Sequence, residues 1–184
     1  FAHLHPKVNF HITQLGDDKV KLHLLQTDEI DFAFINTISE HPNISTVNLA
    51  EEDIFLAVSP SHRLANQRTV SFQEMMDEAF IGLKTNFSQR EFCDELCKKN
   101  GFIPNIICEC SESTAAINLV AAGLGVSFLP CSDDEKKELP VSLLEIEGTD
   151  FKNILRLAWK EQRYFSKAAE HFRECVIQHF QKIE

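Results

Sequence analysis

Four places in this 184-residue chain set small or polar residues just past runs expected to form strands: Gly16, Asn36, the Lys84-Thr85-Asn86 turn and Ser111. Open α/β sheets take their ligands beyond strand C-termini. Helices that begin there present N–H groups suited to a carboxylate. The chemistry these residues can do is therefore to hold a small anion. Lys84 and Arg90 flank the place and could attract it. Ser111 also has a plainer role open to it, as the N-cap of the next helix.

Catalytic and metal chemistry find no matching pattern. Serines, histidines and acids are plentiful, but no G-x-S-x-G elbow, H-E-x-x-H pair or phosphate loop occurs. Gly123-Leu124-Gly125 lacks a third glycine and follows a helix instead of opening one, which argues against a dinucleotide. The six cysteines, Cys93, Cys97, Cys108, Cys110, Cys131 and Cys175, form no C-x-x-C pair and no secreted framework. Cys93 and Cys97 are four apart on one helix face, where both read as small buried hydrophobes. No catalytic residue, metal ligand or cofactor is assigned. A thiol sensor using Cys108 or Cys110 stays open.

The elements that must position these residues follow from periodicity. Val8-Asn9-Phe10-His11-Ile12 alternates as a strand does, Gly16 breaks it, and Asp17 or Asp18 caps a helix through Leu25. Phe32 to Ile35 is a buried strand. Residues 47–49 and 54–58 add two more, and Pro60 ends the series. Ser71-Phe72-Gln73-Glu74 and Ser88-Gln89-Arg90-Glu91 both have the form of a capping box. The first precedes a short helix and the strand 80–83. The second opens a helix that ends at Lys98-Lys99-Asn100-Gly101, cations followed by a glycine. Strands are expected at 103–108 and at 126–129, the latter stopped by Pro130, with a helix between them capped by Ser111 or Ser113. Strands at 141–146 and 154–159 precede a long terminal helix. Its stripe of Phe165, Ala168, Ala169, Phe172, Val176, Phe180 and Ile183 packs on its own sheet or on a partner.

Bulk properties bound the partners. A formal net charge of −10 leaves no basic stripe for phosphates, so this piece is not expected to touch DNA. The mixed cluster Asp133 to Glu138 reads as a solvated loop. No apolar run reaches the roughly 20 residues of a membrane span. Unpaired cysteines suit a reducing cytoplasm. The opening Phe1-Ala2-His3-Leu4-His5-Pro6 carries neither an initiator Met nor a signal-peptide pattern and reads as the interior of a longer chain.

Three segments carry a resemblance. Leu25-Gln26-Thr27-Asp28-Glu29-Ile30-Asp31-Phe32-Ala33-Phe34 resembles the L-x-x-G-E-L-D pattern of the effector-binding domains of LysR-type transcriptional regulators, with Asp28 where glycine is usual. Asp tolerates the left-handed conformation better than most residues, so the turn is expected to survive. Val58-Ser59-Pro60-Ser61-His62-Arg63-Leu64-Ala65 is similar to the family's V-x-x-x-H-P-L-A, with Arg63 for proline and His62 read as structural. Leu119-Val120-Ala121-Ala122-Gly123-Leu124-Gly125-Val126-Ser127-Phe128-Leu129-Pro130 is nearly a full match to V-A-A-G-L-G-I-x-x-L-P. The opening Phe1-x-x-x-His5-Pro6-x-Val8 resembles the family's F-x-x-x-Y-P-x-V.

The resemblance implies an α/β fold of two Rossmann-like lobes joined by two crossing strands, like a type 2 periplasmic binding protein. Residues 1–60 and 131–184 would form the first lobe and 61–130 the second. The family's first, central strand and its winged helix-turn-helix DNA-binding domain would lie upstream of this sequence. It implies a small-molecule effector in the cleft between lobes, with Thr85 and Ser111 at positions where hydroxyl residues contact effectors. It also implies a cytoplasmic homodimer or tetramer, with DNA bound only through the upstream domain and no membrane. The rival reading is a periplasmic-type solute-binding protein of the same two-lobe fold.

Overall fold

The computed structural model describes residues 1–36, 41–132, 135–148 and 152–182. In chain order the elements are α1 (Asp18–Gln26), β1 (Ala33–Ile35), β2 (Ile44–Val58), β3 (Thr69–Val70), α2 (Phe72–Met75), β4 (Ala79–Leu83), α3 (Ser88–Lys99), β5 (Asn105–Cys110), α4 (Ser113–Ala121), β6 (Ser127–Cys131), a 3-10 turn (Glu135–Glu138), β7 (Ser142–Ile146), β8 (Lys152–Lys160) and α5 (Lys167–Gln181). They fall into two compact units, Phe1–Ala50 with Ile154–Glu184, and Glu51–Asn153. This division sets 51–60 and 131–153 in the second unit.

In the first unit β1 pairs antiparallel with β8, Phe34 opposite Leu157. Leu22 and Leu25 of α1 close a small core with Ala33, Ile35 and Ala158. Asp17 caps α1, accepting from the Lys19 N–H at 2.9 Å. Asp28 ends the following turn at φ +63°, the left-handed conformation expected where the family uses glycine. Its carboxylate meets Lys160 at 2.6 Å, which holds it below the usual carboxylate range. α5 begins at Ser166, whose hydroxyl accepts from Ala169 N–H at 3.2 Å. None of its residues is fully buried. Its Phe172 ring lies 5.5 Å from Phe1 and 5.6 Å from both Phe10 and Phe32, so the amino-terminal segment covers part of the apolar stripe.

In the second unit β2 pairs antiparallel with β6 and β7, and β3 runs parallel to β7. β4 and β5 form a parallel pair. One core, including Leu56, Val70, Phe80, Cys97, Phe102 and Leu144, lies on the α3 side. A second, including Ile81, Leu83, Cys110, Ala116 and Val120, lies under α4. The Ser71 capping box forms as its sequence requires, each partner bonding the other's backbone. Gly101 takes φ +87° past the end of α3.

Five local expectations are corrected. Residues 8–12 form no strand: Ile12 is 92% exposed, and alternation alone makes no strand without a ladder partner. The strands expected at 47–49 and 54–58 are one, β2, which continues through Glu51-Glu52-Asp53 because Asp53 stays in register opposite Cys131. The second capping box does not form. Phe87 is the N-cap of α3 and Ser88 is already helical, because a turn closed by Phe87 N–H on Lys84 O, 3.0 Å, delivers the chain into the helix one residue early. β5 runs to Cys110 instead of 108, which makes Glu112 the N-cap of α4 and leaves neither Ser111 nor Ser113 capping. Pro130 does not stop β6 but lies within it, opposite Ile54. Of the acidic-basic cluster, 135–138 forms the 3-10 turn, while Asp133 and Asp134 lie outside the described residues.

Candidate anion-binding site

Five of the six candidate residues stand at strand ends, Asn36 in the first unit and Lys84, Thr85, Asn86 and Ser111 in the second; Gly16 follows no strand and lies just before α1. In the first unit Asn36 follows β1, and its N–H donates to Asp18 Oδ2 at 2.8 Å. Its carbonyl accepts from Arg156 Nη1 at 3.0 Å. Asp18 and Arg156 are both buried, and Asp18 is also paired with Lys21 at 2.8 Å. Lys21 donates in turn to Phe34 O at 2.9 Å. Buried charges endure only when paired, and here the pairing fixes the backbone of Asn36 on both sides. Gly16 stands one residue before the cap of α1, so Asp18 brings Gly16 and Asn36 to the same end of β1. Asp18 was legible in the sequence only as a possible cap; its burial depends on Asn36 and Lys21, which no local pattern signals.

In the second unit the ends of β4 and β5 are joined by Lys84 N–H donating to Cys110 O at 3.0 Å. That bond sets the exposed Lys84-Thr85-Asn86 turn beside the exposed Ser111. Phe87 alone separates the turn from α3, and Glu112 alone separates Ser111 from α4. Both N-caps, Phe87 and Glu112, take extended backbone and make no side-chain cap bond. The first-turn N–H groups of both helices therefore lack a capping side chain, which is the arrangement that accepts a carboxylate or phosphate oxygen. Lys84 adds a positive charge at the turn, and the exposed Glu112 opposes it.

Arg90 does not serve as a free cation here. Its Nε donates to both oxygens of Asp94 at 3.0 and 2.8 Å, and its Nη1 to Leu83 O and Glu109 Oε1, both at 2.9 Å. Burial works against its charge, but Asp94 and Glu109 hold its pKa above the ordinary arginine value. His62 braces its own segment: Leu64 N–H donates to Nδ1 at 3.3 Å, and Nε2 meets Glu78 at 3.2 Å. The six cysteines are free thiols, and no group of three or more metal-ligating side chains occurs among the described residues.

A family model described as LysR substrate binding domain matches residues 1–181 of this chain. The chain belongs to that family. The LysR domain here is 31% identical over 182 residues to the uncharacterized HTH-type transcriptional regulator YybE of Bacillus subtilis, covering 98% of this chain and 61% of that protein. It therefore spans about three-fifths of the length of the curated relative. Among solved structures it resembles the effector binding domain of QuiR in complex with shikimate, at TM-score 0.79 and 23% identity, over 91% of this chain and 79% of that one. It also resembles the BenM effector binding domain with its effector benzoate, at TM-score 0.77 and 23% identity, over 98% and 82%. At these identities the two structures establish the LysR effector-domain fold, an α/β fold of the type 2 periplasmic-binding kind, and nothing finer. No helix among the described residues is long and apolar enough to cross a membrane.

Proposed function

We propose that this chain is the ligand-sensing part of a LysR-type, DNA-binding transcriptional regulator, and that it binds a small organic anion at the C-terminal ends of β4 and β5. The observation that carries the reading is the pair of uncapped helix N-termini, α3 and α4, at strand ends tied by the Lys84–Cys110 bond. Thr85 and Ser111 hydroxyls donate to the anion, and Asn86 and Lys84 complete the turn. In the first unit Gly16, before the cap of α1, and Asn36, after β1, are further candidates for ligand contact. The site binds and does not catalyse. The shikimate and benzoate of the QuiR and BenM structures are both carboxylates, which supports an anionic effector here. DNA is bound through a helix-turn-helix domain outside this sequence, and the setting is the reducing cytoplasm, in keeping with six free thiols.

A thermal-shift screen of the intact protein against organic acids and amino acids tests this, followed by titration of the hit into Ser111→Ala and Thr85→Val. A lost neutral hydrogen bond costs on the order of 1 kcal/mol, and a bond to a carboxylate roughly 1.5–3, so affinity should fall about 5- to 100-fold. Because Ser111 lies outside the N-cap position of α4 and makes no cap bond, Ser111→Ala should melt within a degree or so of the unaltered protein. Unchanged affinity in both variants would remove the hydroxyls from the site.

The regulator is further proposed to be at least a homodimer that uses α5. That helix carries Phe172, Val176 and Phe180 on one stripe without burying any of them fully. Sedimentation of the full-length protein at micromolar concentration should give a dimer or a larger assembly; a monomer would refute it.

A further inference from the structure

We propose that Arg90 is a positioning residue for the anion site: its guanidinium binds the ends of β4 and β5 to α3 and so fixes where the 84–86 turn and Ser111 stand. This rests on the site reading above. Three elements meet on one side chain that is only 12% exposed. Nη1 donates to the carbonyl of Leu83, the residue directly before Lys84, and to Glu109, two residues before Ser111. Nε holds Asp94, one turn further along α3. The backbone turn that starts at Lys84 and the strand end that delivers Ser111 are thus anchored to the same planar group.

Two further features of the chain fit this role. Gly82 leaves the lane that the guanidinium crosses: a Cβ there would stand 3.1 Å from Arg90 Nη1 and 3.3 Å from Ile106 Cδ1. The β4–β5 register also slips between Phe80 and Ile81, where Phe80 pairs with Ile106 but Ile81 pairs with Cys108. That irregularity reverses the alternation of β5, as bulges do. It turns Cys108 and Cys110 toward the core under α4 and sets Glu109 opposite Gly82, on the side where Arg90 lies. Without it Glu109 would face the other way and the tie to β5 would be lost. Arg90 has its Nε and Nη1 occupied by two carboxylates and a carbonyl, so these donors act within the fold and not on the anion. Its contribution is to hold the donors of the site in place before an anion arrives, which removes ordering cost from binding.

Hydrogen exchange of the intact protein, resolved by peptide mass spectrometry, tests the assignment in Arg90→Lys and in the milder Glu109→Gln. Lysine keeps the charge, but its compact ammonium lacks the planar fork that reaches Asp94 through Nε and Leu83 and Glu109 through Nη1. Exchange at the Lys84 and Phe87 amides should rise about 10-fold or more in Arg90→Lys and roughly 3-fold in Glu109→Gln. Amides of the buried Leu56 and Leu144 should keep their rates. Inorganic phosphate and sodium benzoate are titrated alongside, and whichever protects residues 84–88 should bind at least about 5-fold more weakly to Arg90→Lys. A uniform rise in exchange would make Arg90 a general stabiliser, and no rise would leave it without a role; either outcome overturns the assignment. If neither probe protects 84–88 or 110–113 in the unaltered protein, the failure falls on the anion site. The exchange comparison would still decide what Arg90 holds.

Discussion

Gly125→Ala should destabilise the protein by about 3 kcal/mol and lower its melting temperature by roughly 10 °C. A Cβ at this position would stand 2.4 Å from the carbonyl oxygen of Ala79 and 3.2 Å from its carbonyl carbon. Backbone cannot swing aside as a long side chain can. The same Ala79 oxygen accepts from Val126 N–H at 2.8 Å, and Val126 O accepts from Ile81 N–H at 2.8 Å. Moving Ala79 away from a new methyl group would break the bridge that joins the start of β4 to the chain entering β6. The neighbouring Gly123 gives the control. It has φ +82° but open space where a Cβ would go. Gly123→Ala therefore bears only the left-handed backbone cost, about 1 kcal/mol. Equal melting temperatures for the two variants would show that the Gly125 contact is relieved at no cost.

These two glycines mark where the sequence was informative and where it stopped. Gly123-Leu124-Gly125 announced a helix end, and that end forms, with Gly123 directly after α4. The close approach of Gly125 to Ala79 joins residues 46 positions apart, and no local pattern encodes it. The same holds for the site. The turn at Lys84-Thr85-Asn86 and the position of Ser111 were legible because helix and strand periods break there. Whether Ser111 caps its helix was not, since the answer depended on β5 running two residues further while bonded to Lys84. Arg90 illustrates the general difficulty. Within an apparent capping box it reads as a cation able to attract the anion, yet its partners Glu109 and Leu83 come from two strands. Ladder pairing likewise decided β2: a polar Glu51-Glu52-Asp53 interrupts the alternation but not the hydrogen bonding.

Thiol chemistry should separate the cysteines sharply. In folded protein at pH 8, Cys97 should react with iodoacetamide at least about 1,000-fold more slowly than after unfolding in urea. Cys97 has no exposed surface, and burial, with the neighbouring Asp94 charge, pushes its thiol from 9.0 up to about 12. A thiol raised that far holds about a thousandth of the thiolate it would otherwise carry at pH 8, before access is considered. Cys93 on the same helix face is pushed up further, again first by burial. Cys110 is raised as well, by burial and by its contact with Cys108. The half-buried Cys108 and Cys175 should therefore be alkylated first. The raised Cys97 value also has a consequence for stability. Because the folded state keeps the Cys97 proton to higher pH than the unfolded chain does, its contribution is complete below pH 9.0 and is lost as pH climbs toward about 12. Within that window each such thiol removes of order 1 kcal/mol per pH unit. Urea midpoints at pH 8 and pH 10 should fall further apart in the unaltered protein than in Cys97→Ala, whose loss of packing is the same at both. Alkylation of Cys97 as fast as Cys108 in folded protein would mean that α3 opens readily, and with it the turn that carries Thr85.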